Sequence, residues 1–192
     1  YKICRYKHEN LNDMEEFIPA NKEVIIGTLL FLENWIIRNE VSNALPKLFI
    51  RGLKDNKEEE LIFSDEKVYS PGVAEMQKDR NTDNVYISYS SPKTNGRTYI
   101  YNLKSKEKKL VKEQIIPSGH SPENYITERL ECKSHDGRLI PLTITRHKDT
   151  KVDGTANVLL YGYGSYGNIL SFGFSNTRLS LLDRNIIWCD AS

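Results

Sequence analysis

The chain has 192 residues, of which 39% are hydrophobic, 28% charged and 10% aromatic, a folding composition sized for one large or two small domains. A net charge of +1 argues against bulk electrostatic attraction to nucleic acid or an anionic membrane, so neither is expected as a partner. The longest apolar run, Val24 to Leu32, is broken by Thr28 and falls well short of the ~18 residues a spanning helix needs, and no basic segment leads into an apolar stretch at the start.

In chain order, Lys2–Tyr6 and Glu15–Ile18 read as strands. A group of four follows, at Val24–Leu32, Trp35–Val41, Lys47–Leu53 and Glu60–Ser64. Turn-formers divide them: Glu33-Asn34, Asn43-Ala44-Leu45-Pro46 and Asp55-Asn56-Lys57. A second group repeats the order at Gly72–Met76, Val85–Ser90, Arg97–Leu103 and Lys109–Glu113. The groups superpose at a spacing of fifty residues, with Trp35-Ile36-Ile37 on Val85-Tyr86-Ile87 and Leu53-Lys54 on Leu103-Lys104. Four strands per fifty residues is the spacing of β-propeller blades, and an ordinary antiparallel sheet is the alternative. The reading is about two and a half blades, so the chain is expected to open inside a blade. Lys104, Lys106, Lys108, Lys109 and Lys112 face the acidic run Glu58-Glu59-Glu60 of the preceding unit. They read as solvated, edge-protecting charge in preference to a polyanion patch.

After Gln114 the texture changes. Pro117-Ser118-Gly119-His120-Ser121-Pro122 is a linker, and it divides a propeller region, residues 1–121, from a second domain, residues 122–192. Thr127–Lys133 and Arg138–Arg146 flank an Asp136-Gly137 hairpin signal. Asn157–Tyr161 is continuously apolar, as a strand buried on both faces would be. A glycine-rich turn, a short helix around Leu179–Leu182 and a second apolar strand, Ile186–Cys189, complete the opening of an α/β sheet that stops before anything could finish it. Cys4, Cys132 and Cys189 are far apart and lack local histidine partners, so reduced thiols in a reducing, cytoplasmic compartment are expected, with no metal site. His8, His120, His135 and His147 are scattered and read as surface or turn residues.

The informative segment is Gly162-Tyr163-Gly164-Ser165-Tyr166-Gly167. Gly162, Gly164 and Gly167 formally spell the dinucleotide-binding pattern, and Asp190 stands where a ribose-binding acid would close the next strand. That pattern needs a helix starting at the glycines, so that its amides face the pyrophosphate. Here Asn168–Asn176 follows, with no helical apolar period until Arg178.

Gly162–Gly167 together with Phe174-Ser175-Asn176-Thr177-Arg178-Leu179-Ser180-Leu181-Leu182-Asp183-Arg184 resembles the prolyl oligopeptidase family of serine peptidases, in its oligopeptidase B branch. Softer matches precede it: Glu16-Phe17-Ile18-Pro19, Ser88-Tyr89-Ser90-Ser91, and Pro122-Glu123-Asn124-Tyr125 leading to Glu128-Arg129-Leu130. The resemblance implies a propeller capping an α/β-hydrolase domain that cleaves short peptides, after Arg or Lys, through a Ser-His-Asp triad without a cofactor. It implies that Tyr163 donates its hydroxyl to the oxyanion of the tetrahedral intermediate, that Tyr166 lines the S1 pocket, and that the glycines let the backbone turn sharply. A packed turn aromatic is the structural alternative for Tyr163. No G-x-S-x-G occurs, Ser165 is off register, and His135 and His147 precede the loop where the family order puts the base after the nucleophile. The expectation is therefore a fragment, inactive alone, whose triad lies in a complementary C-terminal part. A dinucleotide-binding protein and a non-catalytic propeller interaction module are the rival functions.

Overall fold

The computed structural model describes residues 2–7, 10–74, 79–166 and 168–192. The first element is a hairpin of β1 (Ile3–Lys7) and β2 (Asn10–Ile18). It meets the next sheet through Phe17, whose ring lies 4.2 Å from the Arg51 guanidinium and 5.0 Å from that of Arg5. β3 (Val24–Phe31), β4 (Trp35–Ser42), β5 (Leu45–Gly52) and β6 (Glu58–Glu60) then form an antiparallel meander. A second meander repeats it with β7 (Ser70–Val73), β8 (Asn84–Ser90), β9 (Arg97–Asn102) and β10 (Lys108–Glu113).

Alternation explains how the two meanders meet. Along β8, Val85, Ile87 and Tyr89 are buried while Tyr86 is exposed, the period of a strand with one covered face. Leu48 and Ile50 of β5 do the same in the first sheet. These faces share one core with Leu30, Ile37, Leu61, Phe63, Tyr101 and Leu103. Burial of each such side chain contributes roughly 1.5–3 kcal/mol, so the sheets hold each other.

Several boundaries differ from the sequence reading: β2 begins at Asn10 and not Glu15, and two more have a physical reason. The strand expected at Glu60–Ser64 is the acidic run Glu58–Glu60 itself. Leu61 and Phe63 leave the ladder and turn into the core, Phe63 stacking edge-on to Tyr99 at 5.0 Å. The acidic run lies at the surface, with Glu58 and Glu59 exposed, and is ion-paired. Glu58 takes both Nη atoms of the buried Arg38 at 2.8 and 3.1 Å, Glu60 pairs with Lys47 and Glu59 with Lys106. The turn placed at Asn43–Pro46 tightens to Asn43-Ala44, both left-handed (φ 48° and 57°), and Leu45 and Pro46 join β5. Met76, at the expected end of β7, lies outside the described residues.

Past Gln114 the chain turns at Gly119 (φ 82°), makes a single 3-10 turn at Pro122–Asn124 and enters a mixed sheet. β11 (Tyr125–Lys133) and β12 (Leu139–His147) are antiparallel, and β12 pairs antiparallel with β14 (Ile187–Ala191). β14 pairs parallel with β13 (Val158–Gly162) at the edge, through a crossover holding α1 (Asn176–Leu182). α1 buries Leu179 and Leu182 with Tyr125. β13 was expected to be buried on both faces and is exposed throughout, with Val158 at 59% and Leu160 at 67%. Its composition is that of an interior strand, but among the described residues it has one neighbour, β14, and no covering helix. Among the described residues no helix is long and apolar enough to cross a membrane.

Candidate functional site

The site candidate sits at the carboxyl end of β13. Val158-Leu159-Leu160-Tyr161 runs parallel to Ile187–Asp190, and the pairing ends with Gly162 opposite Ala191. In an open α/β sheet the carboxyl ends of parallel strands are where ligand-binding loops emerge. Tyr163 leaves the strand there, 43% exposed, and Tyr166 is 94% exposed.

Among the described residues the left-handed position in this loop is Tyr166, with φ 59°, whereas Gly162 and Gly164 do not have positive φ. A Cβ at Gly162 would meet Ala191 at ordinary contact distance, 3.7 Å, and one at Gly164 would meet nothing within 4 Å. The sharp bend therefore falls on a tyrosine, a conformation that costs an L side chain about 1 kcal/mol or more. Gly167 lies outside the described residues.

Downstream, the loop is pinned. Phe172 is fully buried although its segment has no regular structure. Arg178 of α1 donates to the carbonyls of Ser171 and Gly173 at 3.5 Å each. The same guanidinium stacks on Trp188 at 5.1 Å and lies 3.6 Å from Asp190. Asp190 is 1% exposed and accepts the Trp188 indole N–H at 2.8 Å. Burial pushes its carboxyl above the usual aspartate range, against the Trp188 hydrogen bond and the Arg178 charge. A carboxylate so enclosed cannot reach a ribose. α1 also begins at Asn176, well past Gly164, so its amides do not face the glycines. Both requirements of the dinucleotide site fail.

Among the described residues, the remaining histidines do not assemble a nucleophile with a serine and an aspartate. His135 Nδ1 is 3.3 Å from Ser134 Oγ at the β11–β12 turn, but Asp136 there accepts from the Arg138 amide and faces its guanidinium. His147 pairs with Asp149 at 3.5 Å, and His120 Nε2 donates to the Lys93 carbonyl at 2.7 Å. His8 lies outside the described residues. Cys4, Cys132 and Cys189 are free thiols, the last buried.

Contacts between the two regions join residues too far apart in sequence to be read from it. Arg129 of β11 donates to the Asn43 carbonyl at 2.7 Å and to Thr143 Oγ1 at 2.6 Å. His120 stacks on Tyr125 at 5.3 Å and meets Phe174 edge-on at 4.8 Å while holding Lys93 of the second meander. A cleft of about 550 Å³ separates residues 64–68 from β11, lined by Glu66, Lys93, Thr127 and Arg129 among others.

Two four-stranded antiparallel meanders packed on one core are the kind of unit a β-propeller region repeats, and a mixed sheet follows them. Residues 1–114 match the family described as prolyl oligopeptidase, N-terminal beta-propeller domain, and the chain belongs to that family. It is similar to dipeptidyl aminopeptidase BI of Pseudoxanthomonas mexicana, at 33% identity over 92% of this chain and 24% of the relative. Among solved structures it is similar to oligopeptidase B of Trypanosoma brucei with covalently bound antipain, at 26% identity and a TM-score of 0.82 over 92% of this chain and 26% of that one. It shares the fold of prolyl oligopeptidase B of Galerina marginata bound to a 35mer hydrolysis and macrocyclization substrate, at 22% identity and a TM-score of 0.84 over 100% of this chain and 27% of that one. The chain thus spans about a quarter of the length of these relatives.

Proposed function

We propose that the chain is part of an oligopeptidase B-like serine endopeptidase that hydrolyses short peptides after Arg or Lys. Residues 1–121 supply about two and a half blades of the propeller, and residues 122–192 the opening strands of the α/β-hydrolase domain. The Ser-His-Asp triad comes from sequence outside these 192 residues, as a complementary C-terminal catalytic part. The observation that carries the reading is Tyr163 at the carboxyl end of β13, directly after the last pair of the parallel ladder and open to solvent.

In this role the serine oxygen attacks the scissile carbonyl, and the negative charge that develops on the carbonyl oxygen accepts the Tyr163 hydroxyl. A donor aimed at charge that exists only in the transition state is worth roughly 3–4 kcal/mol of barrier. Tyr166, almost fully exposed, supplies an aromatic wall for the P1 side chain once the domain surrounds it. The peptide-bound relative supports a peptide substrate, and the absence of a Ser-His-Asp contact among the described residues supports a triad contributed elsewhere.

The test is to assay the chain with fluorogenic Arg- and Lys-containing dipeptides and a serine-directed phosphonate. No turnover and no labelling are expected from the chain alone. Turnover is expected on mixing it with the C-terminal part of Trypanosoma brucei oligopeptidase B. Stoichiometric labelling of a serine within the chain, Ser165 being the first to check, would contradict the reading.

A further inference from the structure

Tyr163 itself is exposed, so something other than burial must fix its loop. The described upstream end is β13 and the downstream end is Ser171–Gly173. Two contacts tie that downstream end to the propeller region. Phe172 is fully buried with the Arg129 guanidinium 5.2 Å from its ring, and Arg129 in turn donates to Asn43 in the β4–β5 turn. The turn is stiff, because both of its residues hold left-handed backbone. Independently, a Cβ on Gly173 would come within 3.1 Å of Ser90 Oγ at the end of β8. Gly173 is thus the glycine of this segment that a close approach explains, and the approach is to the propeller side.

Arg129 has little freedom to do otherwise. Its Nη1 is held by the fully buried Thr143 in the middle of β12, and its Nε is buried without a partner. A half-buried guanidinium whose Nε is enclosed without an acceptor costs stability that a Met or Leu of similar length would not. The arrangement makes sense when the planar fork is needed to span Thr143, Asn43 and the face of Phe172 at once, which a Lys cannot do.

We propose that Arg129 is a positioning residue for the Tyr163 loop: it clamps Phe172 and links the loop's downstream anchor to the propeller turn at Asn43, with Gly173 against Ser90 as the second point of the same clamp. The inference rests on the reading above for what the loop does, and not for how it is held. The seating of the oxyanion donor then depends on the propeller being docked, and loosening the propeller side loosens the loop.

The experiment places spin labels at Asn168→Cys in the loop and Lys112→Cys on β10, in the full chain with Cys4 and Cys132 replaced by Ser. The width of the distance distribution is the readout, and amide exchange of β8, β9, β11 and β12 reports whether the fold is intact. Arg129→Met, Arg129→Lys and Gly173→Ala are each expected to broaden the distribution at least twofold with strand protection unchanged. Adding Ser90→Gly to Gly173→Ala is expected to restore the narrow distribution, which a general loss of packing would not do. If Arg129→Met unfolds the chain, the Gly173/Ser90 pair decides alone. Unchanged widths in folded variants, or broadening in Gly173→Ala that Ser90→Gly fails to reverse, would overturn the clamp. No step involves peptide hydrolysis, so a failed oxyanion role and a failed clamp give separate results.

Discussion

The indole N–H of Trp35 donates to the carboxylate of Asp83 at 2.7 Å, joining two sheets across 48 residues of sequence. Trp35 begins β4, and Asp83 precedes β8, the strand that occupies the same place in the second meander. The bond therefore fixes one repeat on the next at the rim of their shared core. Asp83→Ala leaves the partly buried indole N–H without its acceptor and is expected to cost about 1–3 kcal/mol. Urea unfolding monitored by Trp fluorescence checks this. A loss below a few tenths of a kcal/mol would mean that water replaces the carboxylate there.

Arg38 is 4% exposed and is held by Glu40 at 2.6 Å and by both oxygens of Glu58. Arg38→Ala strands a buried carboxylate and is expected to destabilise by about 3–5 kcal/mol, whereas Arg38→Met combined with Glu40→Leu recovers much of the loss. The Arg38 hydrogen bonds hold the Glu58 carboxyl below its usual range, against the opposing effect of burial. Its folded value lies below its unfolded one, so the contribution is complete above the ordinary glutamate range and is lost as pH falls through the lowered value. Melting temperature is expected to drop on acidification, and to drop less in Glu58→Gln. An identical acid limb in both proteins would contradict this.

Tyr125 anchors the second region from the other end of the pH scale. Burial, and then its 2.6 Å hydrogen bond to Asp183, push its phenol up to about 12. Free tyrosine ionises near ~10, so between these values the unfolded chain has lost a proton that the folded chain keeps. Stability contributed by Tyr125 is therefore expected to fall as pH rises through that window. Ultraviolet titration should show Tyr125, with the buried Tyr89 and Tyr101, ionising later than in the unfolded chain, and Tyr125→Phe should diminish that late component by one phenol.

Much of this architecture was legible because it is periodic. The fifty-residue spacing, the Asp136-Gly137 hairpin and the strand around Ile187–Cys189 each follow from local alternation or turn chemistry, and each is present. The errors have a common cause. β13 has the sequence of an interior strand, but burial depends on neighbours, which a sequence window does not contain. Leu61 and Phe63 carry strand-like residues yet serve the core from outside the ladder, because the sheet ends at β6. Arg129 and Gly173 were invisible, since their partners Asn43 and Ser90 lie over 80 residues away.

The exposure of β13 has its own consequence. Val158, Leu160 and Tyr161 stand in solvent on an edge strand, a template for pairing with other chains. Leu160→Lys is expected to change unfolding free energy by under about 0.5 kcal/mol, as for other exposed positions, while reducing self-association in light scattering at matched concentration. A large fall in melting temperature would mean that Leu160 is covered in solution.

The role proposed for Tyr163 is that of an oxyanion donor to a peptidase. The direct measurement is the steady-state rate of a chimaera in which the chain replaces the matching quarter of Trypanosoma brucei oligopeptidase B, with Tyr163 or Phe at that position. Tyr163→Phe is expected to lower kcat for an Arg-containing dipeptide about 10²–10³-fold while KM changes less than about threefold, because the hydroxyl acts on charge present only in the transition state. An active chimaera in which Tyr163→Phe leaves kcat unchanged would contradict the claim.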